Sequence, residues 1–431
     1  MFSVQRKDFG AGFVFGVATA AYQIEGGQTD GRGSSIWDTF AATPGNTKNG
    51  ESGRVACDHY NRWRSDLDLI AAGGFDAYRF SFAWPRLLPD GTGAVNEKGM
   101  AFYDRLIDGM LERNIRPFAT LYHWDLPSSL QDRGGWMNRD IAAWFSDYAA
   151  LMARRFGDRL ASIATLNEPW CSAYVGHFAG RHAPGYRDLR ACARAMHHVL
   201  YAHGCAVDAL RAEGITGKLG IVTVLKHMQA ASGSAEDALA TRLEDALFNR
   251  WYMDGLFKAS YPEELTRLLE PHLPERWQDD LPVVARPLDW VGINYYTRQI
   301  CAHDPDAPVW KTRRVNGELE RNNLGWEIYP EGLTHVLERV KREYTELPIY
   351  VTENGITTDD DTQRVDFYAK HLVALQAAQR AGVDVRGYFA WSLLDNYEWA
   401  EGYTPRFGLV HTDYQSQART PKGSYRAFQR M

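Results

Sequence analysis

The sequence predicts one (β/α)8 TIM barrel with elaborated βα loops, filling residues 1–431 as a single domain. Three observations carry this. Short apolar runs alternate with longer amphipathic segments from end to end. No linker or composition break divides the chain. Two widely separated apolar runs each end in a glutamate, at Thr165-Leu166-Asn167-Glu168-Pro169-Trp170 and at Val351-Thr352-Glu353-Asn354-Gly355. Two such carboxyls can face one pocket only if the sheet curls round on itself.

The first strand is read at 12–18, running into Gln23 and Glu25. A helix near 60–70 closes on Gly73-Gly74, and the second strand covers 77–84 with Arg79 in it. Helix 97–114 leads to strand 116–122, which ends in His123-Trp124-Asp125. Helix 139–156 precedes the run 160–164 and Glu168. A long helix near 188–213 and strand 218–224 follow, then helical sequence over 236–258. Strand 289–293 ends in Asn294-Tyr295-Tyr296. Residues 304–325 carry no period and read as a long loop. Helix 331–345, strand 347–352, helix 361–381, strand 385–391 and a helix near 420–430 complete eight strand–helix units. The strand tips carry Gln23, Arg79, His123, Asn167, Glu168, Asn294, Tyr296, Glu353 and Trp391, and in such barrels that rim is the active-site face. A doubly wound sheet is rejected, because the glycines of 10–16 have the wrong spacing and precede a strand.

Composition narrows the function. The net charge is −6 with no basic stripe, which excludes nucleic acid as a partner. The five cysteines are scattered without metal-ligand spacing, so neither a disulfide framework nor a metal is expected. There is no leader-like apolar segment, no membrane-spanning run and no Asn-x-Ser/Thr site, so a cytoplasmic location and no membrane partner are expected. Aromatics make up 13% of the chain, and indole faces suit the apolar faces of sugars.

Two glutamates at opposed strand tips, among arginine, histidine, asparagine and tryptophan, suit glycoside hydrolysis. That reaction needs one proton donor and one anion around an oxocarbenium-like transition state. A carboxylate beside Arg79 that accepts a hydrogen bond from Tyr296 stays ionised. One beside an apolar wall such as Trp170 has a raised pKa and keeps its proton near neutrality. Asn167 suits a sugar 2-hydroxyl, and Pro169 is expected to hold Glu168 extended at the strand's mouth. Glu25 reads as a buried structural carboxylate, Tyr295 should point away from Tyr296, and Trp63, Trp144, Trp251 and Trp310 read as packing.

Motifs along nearly the whole chain carry a resemblance. They are the two glutamate stretches, residues 13–26, Tyr78-Arg79-Phe80-Ser81, His123-Trp124-Asp125, Asn294-Tyr295-Tyr296 and the run from Trp391 to Trp399. In this order they resemble family 1 glycoside hydrolases, the β-glucosidase family. The resemblance implies a retaining mechanism with Glu353 as nucleophile and Glu168 as acid, then base. It implies a sugar site of Gln23, His123, Asn167, Trp391, Glu398 and Trp399, joined by Tyr296 and Phe407, with Arg79 and Asn294 supporting the catalytic pair. Trp326, His182 and Trp170 would line the leaving-group side. No cofactor and no metal is implied. The substrates implied are small-molecule β-glycosides: cellobiose, short cello-oligosaccharides or aryl and alkyl β-glucosides, with β-galactosides and β-fucosides beside them. Glu398 and the run Pro405-Arg406-Phe407 depart from the branch that takes 6-phosphorylated sugars, and Glu168 departs from the thioglucosidase branch. The rivals are a catalytically silent sugar-binding barrel and a transglycosylating β-glycosidase. A homo-oligomer is left open.

Overall fold

Each predicted apolar run forms a strand, and the eight close into a ring. They are β1 (Val14–Ala18), β2 (Ala77–Ser81), β3 (Arg116–Tyr122), β4 (Ser162–Asn167), β5 (Lys218–Val224), β6 (Trp290–Asn294), β7 (Ile349–Asn354) and β8 (Val385–Trp391). The computed structural model describes residues 2–431. Every neighbouring pair in the ring is parallel, and β1 closes it against β8 with Val14 opposite Gly387 and Ala18 opposite Trp391. All residues of β1, β2, β4 and β6 are buried, as strands with helices on one face and a packed interior on the other must be.

The interior is filled from opposite strands. Phe118 of β3 packs on Phe389 of β8 with ring centroids 5.0 Å apart, and on Tyr350 of β7 at 5.6 Å. Phe389 leaves β1 no room for a side chain at Gly16, where a Cβ would stand 2.4 Å from its ring. The outer helices follow from their apolar spacing. Glu331–Glu343 buries Leu333, Val336, Leu337 and Val340, one stripe of a 3.6-residue period. Asn96, Asp188 and Asp360 cap the helices that follow them by accepting backbone N–H bonds.

Boundaries and small elements differ from the sequence reading. β4 runs to Asn167, so Thr165 and Asn167 of its motif are still in the strand and Glu168 follows it. The helical stretch over 236–258 is broken by a π turn at Ala246–Arg250. The expected loop 304–325 contains a strand, Thr312–Val315, which pairs with Gln299–His303 and through it with Met228–Ala230. Those strands are short and half exposed, so no alternation marks them. A two-stranded ribbon joins Val410–Thr412 to Arg419–Pro421.

Glu25 is structural. Arg86, fully buried, donates from Nε to Glu25 Oε2 (2.9 Å) and from Nη1 to Asp30 Oδ2 (2.8 Å), while the Tyr103 hydroxyl donates to Glu25 Oε1 (2.6 Å). Tyr295 points away from its neighbour, its hydroxyl donating to Tyr329 O at 2.7 Å. Trp63, Trp251 and Trp310 are buried packing. Among the described residues no helix is long and apolar enough to cross a membrane.

Candidate active site

The C-terminal strand tips converge on a cavity of about 290 Å³. Its wall includes His123 after β3, Glu168 after β4, Glu353 in β7 and Trp391 in β8, with Tyr296, Trp326, Glu398, Trp399 and Phe407 from the loops beyond. His182 and Trp170 line it too. Gln23, Arg79, Asn167 and Asn294 each hydrogen-bond to a residue of that wall.

A chain of hydrogen bonds links the two glutamates. Tyr296 donates its hydroxyl to Glu353 Oε2 (2.6 Å), and Arg79 Nη1 donates to Glu353 Oε1 (2.6 Å). Arg79 Nη2 donates to Asn167 Oδ1 (2.6 Å), which also accepts from Asn294 Nδ2 (3.1 Å). Asn294 Nδ2 donates in turn to Glu168 Oε1 (2.7 Å), and the Thr352 hydroxyl fixes the Asn294 amide through Oδ1 (2.7 Å). Every member but the half-buried Tyr296 is buried, so the donors act in a low dielectric.

These environments separate the two carboxyls. Burial raises the Glu168 pKa, repulsion by Glu353 raises it further, and it reaches about 7. Burial also pushes Glu353 up, but the Arg79 charge and the Tyr296 hydrogen bond oppose that. The first proton lost by the pair therefore leaves Glu353, and Glu168 keeps its own near neutrality. Glu398 is raised to about 8, by burial first and then by the two glutamates. His123 falls well below its ordinary value through burial, then through Arg79, so its ring is neutral. Its Nε2 lies 3.1 Å from Asn167 Nδ2. Gln23 Nε2 donates to Tyr397 O (2.9 Å), Asn396 Oδ1 (3.0 Å) and Glu398 Oε2 (3.3 Å), and Gln23 Oε1 is buried without a partner among the described residues.

Glu168 is not extended, contrary to the expectation drawn from Pro169. Its φ of 46° lies in the left-handed region, a conformation costing a non-glycine residue about 1–2 kcal/mol. Its N–H donates to Val222 O of β5 (2.9 Å) while its carbonyl accepts from Cys171 N (2.9 Å). The two bonds turn the chain off the β4 line and into the next helical turn. At the other carboxyl, a Cβ on Gly355 would lie 1.8 Å from Trp391 O, so glycine lets the tips of β7 and β8 meet.

A sequence model of glycosyl hydrolase family 1 matches residues 5–431. The chain belongs to glycosyl hydrolase family 1. It is 47% identical to beta-glucosidase A of Thermotoga maritima over 430 residues, covering 97% of this chain and 96% of that protein. It is 44% identical to a beta-glucosidase of Agrobacterium sp., over 96% of this chain and 93% of that one. Among solved structures, the family 1 β-glucosidase of Thermotoga maritima superposes with a TM-score of 0.96 at 46% identity, with 97% of each chain covered. The same enzyme in complex with deoxynojirimycin superposes at 0.95, with the same identity and coverage.

Within this family 1 site, several residues escaped the sequence reading. Cys171 donates its thiol hydrogen to Glu168 Oε2 at 3.1 Å, so both oxygens of that carboxyl are held. The signal was its place three residues after Glu168, at the spacing of neighbours on a helical turn. Phe248, Lys226, Arg181 and Arg314 also line the cavity. Lys226 lies just beyond the β5 tip and was within reach, whereas Arg314 lies in the stretch that reads as loop.

Proposed function

We propose that this family 1 chain is a retaining β-glucosidase acting on terminal non-reducing β-D-glucosyl residues. One observation carries the reading: Arg79 and Tyr296 support the charged form of Glu353, while Glu168 keeps a proton up to about pH 7. Glu353 attacks the anomeric carbon as Glu168 gives its proton to the glycosidic oxygen, and the aglycone leaves as an alcohol. The sugar is then an ester of Glu353. Glu168, now ionised, takes a proton from water; the hydroxyl attacks the same carbon, and the Glu353 carboxylate departs. Two inversions retain the β configuration.

Gln23, His123, Asn167, Glu398 and Trp399 hold the glycone's hydroxyls, with the Trp391 indole and Phe407 at its apolar surfaces. The partnerless Gln23 Oε1 supports this, since a buried acceptor left without a donor is costly and a sugar hydroxyl satisfies it. Trp170, Trp326 and His182 flank the aglycone. A similar protein of Bifidobacterium breve, 39% identical over 98% of this chain, is named a bifunctional beta-D-glucosidase/beta-D-fucosidase, which supports acceptance of β-fucosides as well.

The test follows hydrolysis of 4-nitrophenyl β-D-glucoside by NMR. β-Glucose is expected to form first and to mutarotate afterwards. α-Glucose as the first product, or no turnover, sinks the proposal and in the second case favours a silent sugar-binding barrel.

A further inference from the structure

The leaving-group end of the cavity carries more positive charge than a neutral alcohol calls for. Given the proposed role of Glu168 as proton donor, the aglycone lies on the side of that carboxyl. There the wall is aromatic, with the Trp170 and Phe248 ring centroids 4.3 Å apart and Lys226 over Phe248, and Arg314 and Arg181 line the same cavity. Lys226 is half-buried, its Nζ 4.4 Å from the Phe248 ring centroid and 3.2 Å from Gln299 Oε1, an uncharged acceptor. Lys226 belongs to no ion pair among the described residues, and neither do Arg314 and Arg181, which are exposed at the cavity's rim.

The nearby acids offset this charge only in part. Glu244 favours the Lys226 ammonium from beyond ion-pair distance while accepting from Gln299 Nε2 (2.8 Å) and the Thr312 hydroxyl, and Glu401 is an exposed residue of the cavity rim. Burial pushes the Lys226 pKa well below its ordinary value, and the charge of Arg314 pushes it further. An anion beside Lys226 offsets the repulsion by Arg314 and favours the ammonium. An unmatched pair of cations beside an aromatic wall fits a ring that carries a negative group.

We propose that this site takes β-glucosides whose aglycone is an aromatic ring bearing a carboxylate, with Lys226 and Arg314 as its main counter-charges and Arg181 at the mouth. This rests on the β-glucosidase reading above. It concerns aglycone preference alone and leaves the glycone contacts unchanged.

The experiment measures kcat/KM for 4-carboxyphenyl and 4-carbamoylphenyl β-D-glucoside. It uses the full-length protein and its Lys226→Met/Arg314→Gln and Lys226→Arg variants. The carboxylate-to-amide ratio is compared between proteins, so leaving-group reactivity and any general loss of activity cancel. The ratio is expected to fall about tenfold in the double variant and to persist in Lys226→Arg. Salt at about 0.5 M should shrink it in the native protein. A fall of less than threefold in the double variant, or an equal fall in Lys226→Arg, overturns the proposal. If the native protein turns over neither glucoside, it is the β-glucosidase reading that fails; if it turns over both and the ratio does not move, only the anionic aglycone fails.

Discussion

Arg79 Nη1 lies 2.6 Å from Glu353 Oε1, and the two side chains are only 3% and 4% exposed. A buried pair of this kind is held by mutual need, because removing either partner strands the other's charge out of water. Asn167 occupies the second arm of the guanidinium, so Arg79 cannot swing away to another acceptor without breaking two contacts.

Replacing Glu353 with alanine should lower turnover of nitrophenyl glucoside by about 10⁴-fold or more. Added azide, small enough for the space left behind, should restore it and yield the α-glycosyl azide. NMR of the product decides: a β-azide would falsify the assignment of Glu353 as nucleophile.

Glu168→Ala should slow alkyl glucosides by about 10²–10⁴-fold and activated aryl glucosides far less, because only the poorer leaving groups need a proton. The measurement is a plot of kcat/KM against leaving-group pKa. Its slope should steepen in the variant, and an unchanged slope would remove Glu168 from the acid role.

The rate should be bell-shaped in pH. It falls on the acid side as Glu353 takes up a proton, and on the alkaline side as Glu168 loses one near 7. Cys171 stabilises the ionised form of Glu168 through its thiol hydrogen bond. Cys171→Val should therefore move the alkaline limb upward by about half a pH unit, with the acid limb in place. A downward or absent movement contradicts the contact's role.

Stability should also report the buried proton. Glu168 titrates near 7 when folded, but near its ordinary value when the chain is unfolded. Between those values the fold keeps a proton that the unfolded chain has released, so stability drops as pH rises and stays low above both. Glu168→Gln removes this dependence. Between about pH 5 and pH 9 its stability relative to the native protein should improve by about 2 kcal/mol in denaturant melts. A difference independent of pH would refute the shift.

Away from the cavity, Arg86→Met leaves Glu25 and Asp30 without their shared guanidinium. Chemical denaturation should show a loss of about 3–5 kcal/mol. A loss under about 1 kcal/mol would mean that the pair is solvated in practice.

The barrel was legible because its strands are mostly buried apolar runs separated by longer amphipathic segments, and a closed ring needs little more than that alternation. The two glutamates, Asn294 and Tyr296 were legible because each sits at or just past the end of such a run, whereas Arg79 is in the middle of β2. The turn at Glu168 was not legible, since proline constrains its neighbour sterically while the bond to Val222 that helps bend the chain comes from elsewhere in the fold. The strand Thr312–Val315 was hidden for a related reason: half exposed and paired at a distance, it carries no pattern of its own. The grouping of Lys226 with Arg314 depends on that same pairing and could not be seen without it.

The ring shut by β1 against β8 places Arg79, Glu168, Asn294 and Glu353 on or just past four different strands, and the seam itself is sealed by the run ending at Ala18 and Trp391. No single strand–helix unit contains the constellation. A nascent chain emerging from the ribosome should therefore stay inert until its C-terminal portion is free to dock, and the onset of glucoside cleavage during synthesis would time the completion of the fold.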